Sequence, residues 1–280
     1  SSTPIPYDAI RETQVQFAPF DVDYGSFTGC AINVVTKSGT NDYKFGGFFE
    51  YSDNGMRGDK VAGLPVASIK PEKRWGVWAG APIIKDRLFI FGAYEHQEAG
   101  QSQDDGPVGA GYANEQTGIT AAQFQEISDV LKNTYGIDTG PLVHNRPFKN
   151  DRYFGRLDWQ ITDNHRLELT YQRLEEGSTR PDDLFTGTSP QAVGLNTFYT
   201  SGTKSNYYSG RLYSQWTDNF STELRYSRSE VRDRQDPIGG GEAQSANPIP
   251  RIIVGIDNPG NARDGAVLAG PGTSRSANDL

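Results

Sequence analysis

The sequence predicts an all-β fold, an antiparallel up-and-down transmembrane β-barrel of which this chain holds about seven strands. Three observations favour this fold class. Only 35% of the residues are hydrophobic while 11% are aromatic, and there are 32 Gly and 16 Pro, which is typical of strands joined by polar loops. Most strand-like segments alternate between an apolar and a polar face. Short and long connections alternate along the chain, as in outer-membrane barrels.

The period of two recurs in seven segments of about ten residues each. In 152–161, for example, Tyr153 and Trp159 lie on one face and Arg156 and Asp158 on the other. The seven segments are 43–52, 74–81, 88–97, 152–161, 166–172, 207–216 and 221–227. Seven strands cannot close a barrel wide enough to hold inward-pointing Arg, Glu and Tyr, and open sheet edges are not tolerated in lipid. We therefore expect the chain to be a fragment of a larger barrel.

The connections predict which end of the barrel carries the long loops. Three of them are short and rich in Asp and Asn, as hairpin turns are: Lys85–Arg87, Thr162–His165 and Thr217–Asn219. The others are long: about 53–73, 98–151, 176–204 and 235–280. Since outer-membrane barrels have short periplasmic turns and long extracellular loops, we expect the same orientation here.

One long loop contains a predicted helix over about 121–134. Thr120 and Gln123 fit a capping box, and Gly136 is placed to end the helix. The tail after 235 is rich in Gly, Pro and Asn and predicts a loop with a single short strand at 252–256.

Composition excludes several classes of protein. The formal net charge of −8 argues against a nucleic-acid partner, which would require a basic face. Cys30 is the single cysteine, so an intrachain disulfide is excluded. The three histidines, His96, His144 and His165, are far apart and lack metal-ligand spacing. The sequence thus indicates no catalytic residue, no metal site and no cofactor, and we expect no enzyme.

The alternation of the strands predicts the positions of two sets of side chains, one on each face of the sheet. Rings near the strand ends predict an aromatic girdle at the membrane interfaces, with the core of a soluble sandwich as the alternative. The girdle residues are Tyr43, Tyr51, Trp75, Trp159, Tyr171, Trp216 and Tyr226. Polar residues on the opposite face would point into the lumen and contact a plug or the solute path, or would simply be solvated. They are Arg152, Arg156, Asp158, Glu168, Arg211, Glu223 and Arg225.

The stretch DAIRETQVQFAPFDVDYGSFTGCAINVVTKSGTN, residues 8–41, resembles the end of the plug domain of TonB-dependent outer-membrane receptors. The matching positions are Tyr24, Gly25, Gly29, Asn33, Thr36, Lys37, Ser38 and Gly39. Cys30 is a departure, since the family usually has a second glycine there. GAPIIKDRLFIFGAYE (80–95) and RYFGRLDWQITDNHRLELTYQ (152–172) resemble barrel hairpins of the family, and the final RSANDL resembles the start of a further strand. The combination is most similar to the Oar-like subgroup, which carries a carboxypeptidase-regulatory-like domain.

The resemblance implies the end of a plug over 1–37, a hinge over 38–42 and the first part of an outer-membrane barrel over 43–280. It also implies partners: outer-membrane lipid, an extracellular ligand of unknown identity, and the TonB–ExbB–ExbD complex acting through a TonB box outside this chain. The acidic loops favour a cationic or neutral ligand. Two alternatives stay open, a passive porin or adhesin barrel and a secreted β-sandwich that binds or acts on carbohydrate.

Overall fold

The computed structural model describes residues 4–17, 30–58, 60–65, 70–182, 190–258, 264–272 and 275–279. Its one α-helix within these ranges is α1 (Ala121–Tyr135), and short 3₁₀ helices cover Tyr7–Ala9, Asn54–Met56 and Leu195–Thr197. The strands are β1 (Ile10–Phe17), β2 (Cys30–Thr36), β3 (Lys44–Ser52), β4 (Lys60–Val61), β5 (Leu64–Pro65), β6 (Glu72–Ile84), β7 (Leu88–Ser102), β8 (Asp105–Val108), β9 (Asn114–Thr120), β10 (Asn145–Thr162), β11 (His165–Pro181), β12 (Gln191–Val193), β13 (Phe198–Thr217), β14 (Phe220–Pro237), β15 (Ile252–Ile256), β16 (Gly265–Ala269) and β17 (Arg275–Asp279).

An antiparallel sheet of eight strands dominates the fold. Its order is β3-β6-β7-β10-β11-β13-β14-β17, so each strand pairs with the next long strand along the chain. The first seven of these correspond to the seven predicted segments, and the eighth, β17, lies in the RSANDL stretch. β1 and β2 form a separate antiparallel pair that precedes the sheet. The predicted all-β, up-and-down antiparallel class is confirmed.

The strands are longer than the alternation predicted. β13 has 20 residues and β10 and β14 have 18 each, so they extend into 98–151, 176–204 and 235–280, which were expected to be loops. The added segments are polar on both faces, for example QEAGQS at the end of β7. A hydrogen-bonded ladder needs only backbone groups, whereas the period-two signal needs one apolar face. The apolar pattern therefore marks only part of each strand.

The other described residues of these three connections contain a helix and short strands, and they fold into one unit that we call the cap. The cap comprises residues 103–144, 190–197, 238–258 and 264–272. β16 lies between β12 and β15 and is buried along its whole length. α1 packs beside this small sheet with the predicted capping box at Thr120 and with Gly136 in the left-handed conformation at its end. The predicted helix and the predicted strand at 252–256 are both confirmed.

Two hydrophobic clusters hold the cap together, and each draws on all three connections. One contains Ile119, Phe124, Ala192 and Val267. The other contains Val143, Val193, Phe198 and Leu268. Because each connection supplies only a few apolar residues, no single stretch of sequence carries a core pattern.

Among the described residues, no helix combines the length and the apolar character needed to cross a membrane.

Candidate functional site

The strand register divides the sheet into two faces, because directly opposed residues of an antiparallel pair point to the same side. Arg152 is opposite Glu95, and Glu168 is opposite both Asp158 and Arg211. The face that carries them also contacts the 3₁₀ helix Tyr7–Ala9 and is called the inner face. All predicted lumen-facing residues lie on it: Arg152, Arg156, Asp158, Glu168, Arg211, Glu223 and Arg225.

A buried glutamate joins the inner face to the segment before β1. The Glu95 side chain is only 1% exposed. Its carboxylate accepts a hydrogen bond from the backbone N–H of Tyr7 at 2.7 Å and from Arg74 Nε at 2.9 Å, and it forms an ion pair with Arg152 Nη1. A buried carboxylate needs such partners to offset its loss of hydration. Sequence reasoning missed Glu95 and Arg74. The apolar start of the segment 88–97 obscured the polar position at Glu95.

An apolar contact supports this polar junction. Ala9 is fully buried against the eight-stranded sheet, which we call the wall, and this places the segment 4–9 over β6, β7 and β10. The cluster contains Ala9, Phe91, Ala93 and Phe154, with Ile5 and Trp78 packed against it. Hydrophobic burial and the Glu95 network thus hold the same short segment, 4–9, on the sheet.

The end of β2 is attached to the same part of the wall. The backbone N–H of Lys37 donates to the Ala9 carbonyl at 2.8 Å, and the Lys37 ammonium lies 4.7 Å from the centre of the Trp78 ring. Arg156 donates to Thr36 Oγ1 at 2.9 Å and to the Thr36 carbonyl at 3.3 Å. The Arg156 guanidinium is oriented for this by ion pairs with Asp158 and Glu168 on the wall.

The predicted hinge at 38–42 lies directly on the sheet. Gly39 is buried, and a Cβ there would lie 2.5 Å from the carbonyl oxygen of Ile90, so no other residue fits without movement. Asn41 and Asp86 exchange two hydrogen bonds, Asn41 Nδ2 to Asp86 Oδ1 at 2.5 Å and Asp86 N to Asn41 Oδ1 at 2.8 Å. Asp86 has φ 64° in the β6–β7 turn, a conformation that Asp adopts more readily than most residues. The polar hinge is thus fitted to this turn.

Tyr24, Gly25 and Gly29 of the predicted plug signature lie outside the described residues. Asn33 is in β2 opposite Gln14, and Ser38 is exposed on the hinge.

The inner face is covered unevenly. Arg152, on the sector formed by β6, β7 and β10, is only 8% exposed. By contrast, Arg211, Glu223 and Arg225, on β13 and β14, are exposed, and Glu223 pairs with Arg225. Among the described residues, the segments 4–9 and 36–42 thus cover one sector of the wall, and the other sector is exposed at these three residues.

The outer face carries the predicted girdle residues. Tyr51, Trp75, Trp159, Tyr171, Trp216 and Tyr226 lie there, and Tyr43 is exposed just before β3. Together with three more tyrosines, four of them form a line with one ring per long strand from β3 to β14: Tyr51, Trp75, Tyr94, Tyr153, Tyr171, Tyr208 and Tyr226. Ring centres within the line lie 4.8 Å apart for Tyr94–Tyr153 and 5.1 Å apart for Tyr171–Tyr208.

The line of rings is inclined to the hydrogen-bonding direction. Over the six strand-to-strand steps from Tyr51 to Tyr226, it shifts by eight residues toward the short turns. That is roughly 1.3 residues per strand, or about 4.4 Å along the strand for each spacing of about 4.8 Å between strands. If the line is horizontal, the strands are tilted by about 40°, which is the tilt of membrane barrels.

The outer face changes character across this line. On the side away from the short turns it carries ion pairs such as Lys149–Glu98 at 3.1 Å and Lys204–Glu175 at 3.2 Å. On the side toward the turns it carries Ile90, Leu157 and Leu169. The rings thus separate a charged zone from an apolar zone.

The cap has a formal net charge almost equal to that of the whole chain. Its described residues include nine Asp and Glu but only two basic residues, Lys132 and Arg251, which gives a formal charge of −7. The whole chain has 35 acidic and 27 basic residues, a net of −8. Within the described residues, no group of three or more His, Cys, Asp or Glu side chains is arranged to hold a metal ion.

Comparison with known proteins gives a likeness in fold. No protein-family model matches the sequence, and none of the curated proteins matches it significantly. Among solved structures, the outer membrane transporter YddB from Escherichia coli is similar, with a TM-score of 0.56 and 11% sequence identity. The match covers 96% of this chain and 30% of YddB, so the chain spans about a third of the length of that protein. The chain therefore has a fold similar to part of an outer membrane transporter.

Proposed function

We propose that this chain is the junction between plug and barrel in a TonB-dependent outer-membrane receptor of the Oar-like subgroup. The receptor would bind a ligand at its extracellular loops and import it through the plugged barrel with energy delivered by TonB–ExbB–ExbD. One observation carries the proposal: the segment before β1 and the end of β2 are bonded to the inner face, and the chain then passes through Gly39 into β3, the edge strand of the sheet. A passive porin has no need for this covering segment.

The outer face supports a membrane location over a soluble sandwich. In a sandwich, core aromatics interdigitate with a second sheet, and nothing requires them to follow an inclined line. In a tilted barrel, rings at the level of one interface must shift along successive strands, as they do from Tyr51 to Tyr226. The charged zone beyond the line is then at the level of the lipid headgroups.

The cap supports a function in ligand capture. It is a folded unit at the loop end of the sheet, and its charge of −7 would attract cations and repel anions. We therefore propose a cationic or neutral ligand. The exposed inner face of β13 and β14, with Arg211, Glu223 and Arg225, would form part of the solute path.

The test uses the full-length protein in outer-membrane vesicles and in planar bilayers. We expect it to fractionate with the outer membrane, to bind the periplasmic domain of TonB, and to show no steady ion conductance. Deletion of the plug through Lys37 should produce a permanently open pore. Conductance of the intact protein equal to that of the deletion variant would indicate a passive porin, and recovery in the soluble fraction would indicate a sandwich.

A further inference from the structure

We infer that the outer face of β11, β13 and β14 binds a membrane lipid that carries a phosphate, with the phosphate on a cluster of basic side chains and an acyl chain in an apolar groove beside it. The inference rests on the proposed function in one respect, since it assumes that the outer face contacts lipid. It adds the chemistry of the lipid that is selected and the side chains that select it.

Basic residues predominate on the outer face of these three strands, on the side of the ring line away from the short turns. Strand register places five of them there, and we call them the basic patch: Arg173, Lys204, Arg228, Arg232 and Arg234. The acidic residues of the same zone are Glu175, Glu230 and Asp236. Five basic and three acidic residues give this zone a formal charge of +2. The corresponding zone of β6, β7 and β10 has none, because Lys73 and Lys149 are balanced by Glu98 and Asp151.

The carboxylates of this zone do not neutralise the basic patch. Arg173 and Lys204 share one carboxylate, that of Glu175, from which Lys204 Nζ lies 3.2 Å away. Lys204 is also directly opposite Arg232 on the neighbouring strand. Like charges at directly opposed positions destabilise a sheet, so a bound anion would stabilise this arrangement. Guanidinium groups bind phosphate oxygens in a bidentate manner, and a lysine adds a point charge.

An apolar groove of about 750 Å³ lies on the outer face next to the patch. It exists because side chains are small or missing there: Gly155 is directly opposite Gly92, which is opposite Ala79. Tyr171 lines the groove on the side of the patch. Arg173 follows two residues later on the same face of β11, about 7 Å along the strand. The groove and the patch are therefore neighbours on one surface.

A lipid with a phosphate headgroup matches both parts of this surface. The ring line marks the membrane interface, so the patch lies at the level of the headgroups and the groove lies on the hydrocarbon side. A free phosphate ion would use only the patch, and an uncharged lipid would use only the groove. The position of the two parts on opposite sides of the same rings favours one ligand that spans them.

The experiment is native mass spectrometry of the full-length protein in nonionic detergent, with dioleoyl phosphatidic acid and dioleoyl phosphatidylcholine as competing probes. The two lipids have the same acyl chains, so their ratio on the protein measures selection of the headgroup. We expect phosphatidic acid to be retained about tenfold in preference, since each basic residue near a membrane surface attracts anionic lipid. K204Q/R232Q should abolish this preference, whereas E175Q, which removes the shared carboxylate, should increase it. A variant that merely loosens the sheet would not increase retention.

The matched control is K149Q. Like Lys204, Lys149 lies on the outer face four residues from the ring of its own strand, but its ammonium pairs with Glu98 at 3.1 Å in the neutral zone. This variant should keep the preference of the wild type. Equal losses in K149Q and K204Q/R232Q, or an unchanged ratio in E175Q, would overturn the basic patch as the headgroup site.

The groove is tested by G155L, which fills it from a position where an added Cβ meets nothing within 4 Å. Retention of phosphatidic acid should fall at least threefold in this variant, and excess inorganic phosphate should not displace the lipid from the wild type. Displacement by inorganic phosphate together with unchanged retention in G155L would indicate a free anion site and refute the lipid site. Membrane fractionation of the same protein tests the proposed function separately, because a protein found in the outer membrane without this lipid preference contradicts only the present inference.

Discussion

A substitution in one connection of the cap should loosen a helix in another, and Val267→Ala tests this most directly. Val267 is 0% exposed and contacts Phe124 of α1 and Ile119 of β9, although about 140 residues separate them in sequence. Removal of two buried methyl groups costs about 1.6 kcal/mol in transfer free energy, and the remaining cavity raises this to about 2–3 kcal/mol. Because 1.4 kcal/mol corresponds to a factor of ten, local opening of α1 should become roughly 30- to 150-fold more frequent.

Amide hydrogen exchange of the full-length protein, followed by mass spectrometry of the peptides covering 121–135, measures this opening. The control is Ile253→Ala in the neighbouring strand β15, where the side chain is 56% exposed and little burial is lost. Exchange in the strands β10 and β13 should not change in either variant. If V267A accelerated exchange only within β15 and β16, the three connections would fold independently and the cap would not be one unit.

Two further predictions concern the hinge and Tyr112 of the cap. Gly39→Ala should lower the free energy of unfolding of the full-length barrel by about 1–3 kcal/mol, because its Cβ would lie 2.5 Å from the Ile90 carbonyl oxygen. The control is Gly155→Ala, whose Cβ meets nothing within 4 Å and which should leave the free energy of unfolding unchanged. The urea midpoint of each variant, followed by gel mobility, measures the difference. Burial raises the pKa of Tyr112 to about 12, above the value of about 10 expected in the unfolded chain. The stabilisation from this neutral phenol is therefore complete below pH 10 and is lost as the pH rises through 12. Ultraviolet absorbance should show a tyrosine component that ionises late, and Tyr112→Phe should reduce this component by one tyrosine; an equal late component in the wild type and the variant would refute the assignment.

The strands were predictable to the extent that one of their faces is apolar. β10 and β11 carry a clear alternation near Trp159 and Leu169, and these parts were located correctly. Their outer halves were missed because both faces are polar there, while the backbone ladder continues. The helix was predictable because its signals are local: Thr120 caps Gln123 within one turn, and Gly136 ends the helix in the left-handed conformation.

The candidate site was only half predictable. Arg152 and Arg156 were placed on the correct face by alternation alone, since a side-chain period of two needs no knowledge of neighbouring strands. Their partners depend on register and on distant segments: Arg152 meets Glu95 across 57 residues, and Arg156 meets Thr36 across 120. No periodicity in the sequence contains that information.

By itself, the sequence determined the local features of this protein: the antiparallel class, the short turns, the helix, and the two-faced strands. Each depends on residues within a few positions of one another. Only the tertiary structure decided that three connections share one core, that Glu95 holds the segment before β1, and that the rings from Tyr51 to Tyr226 form an inclined line. These features depend on strand register and on contacts over long sequence separations, which the folded backbone alone brings together.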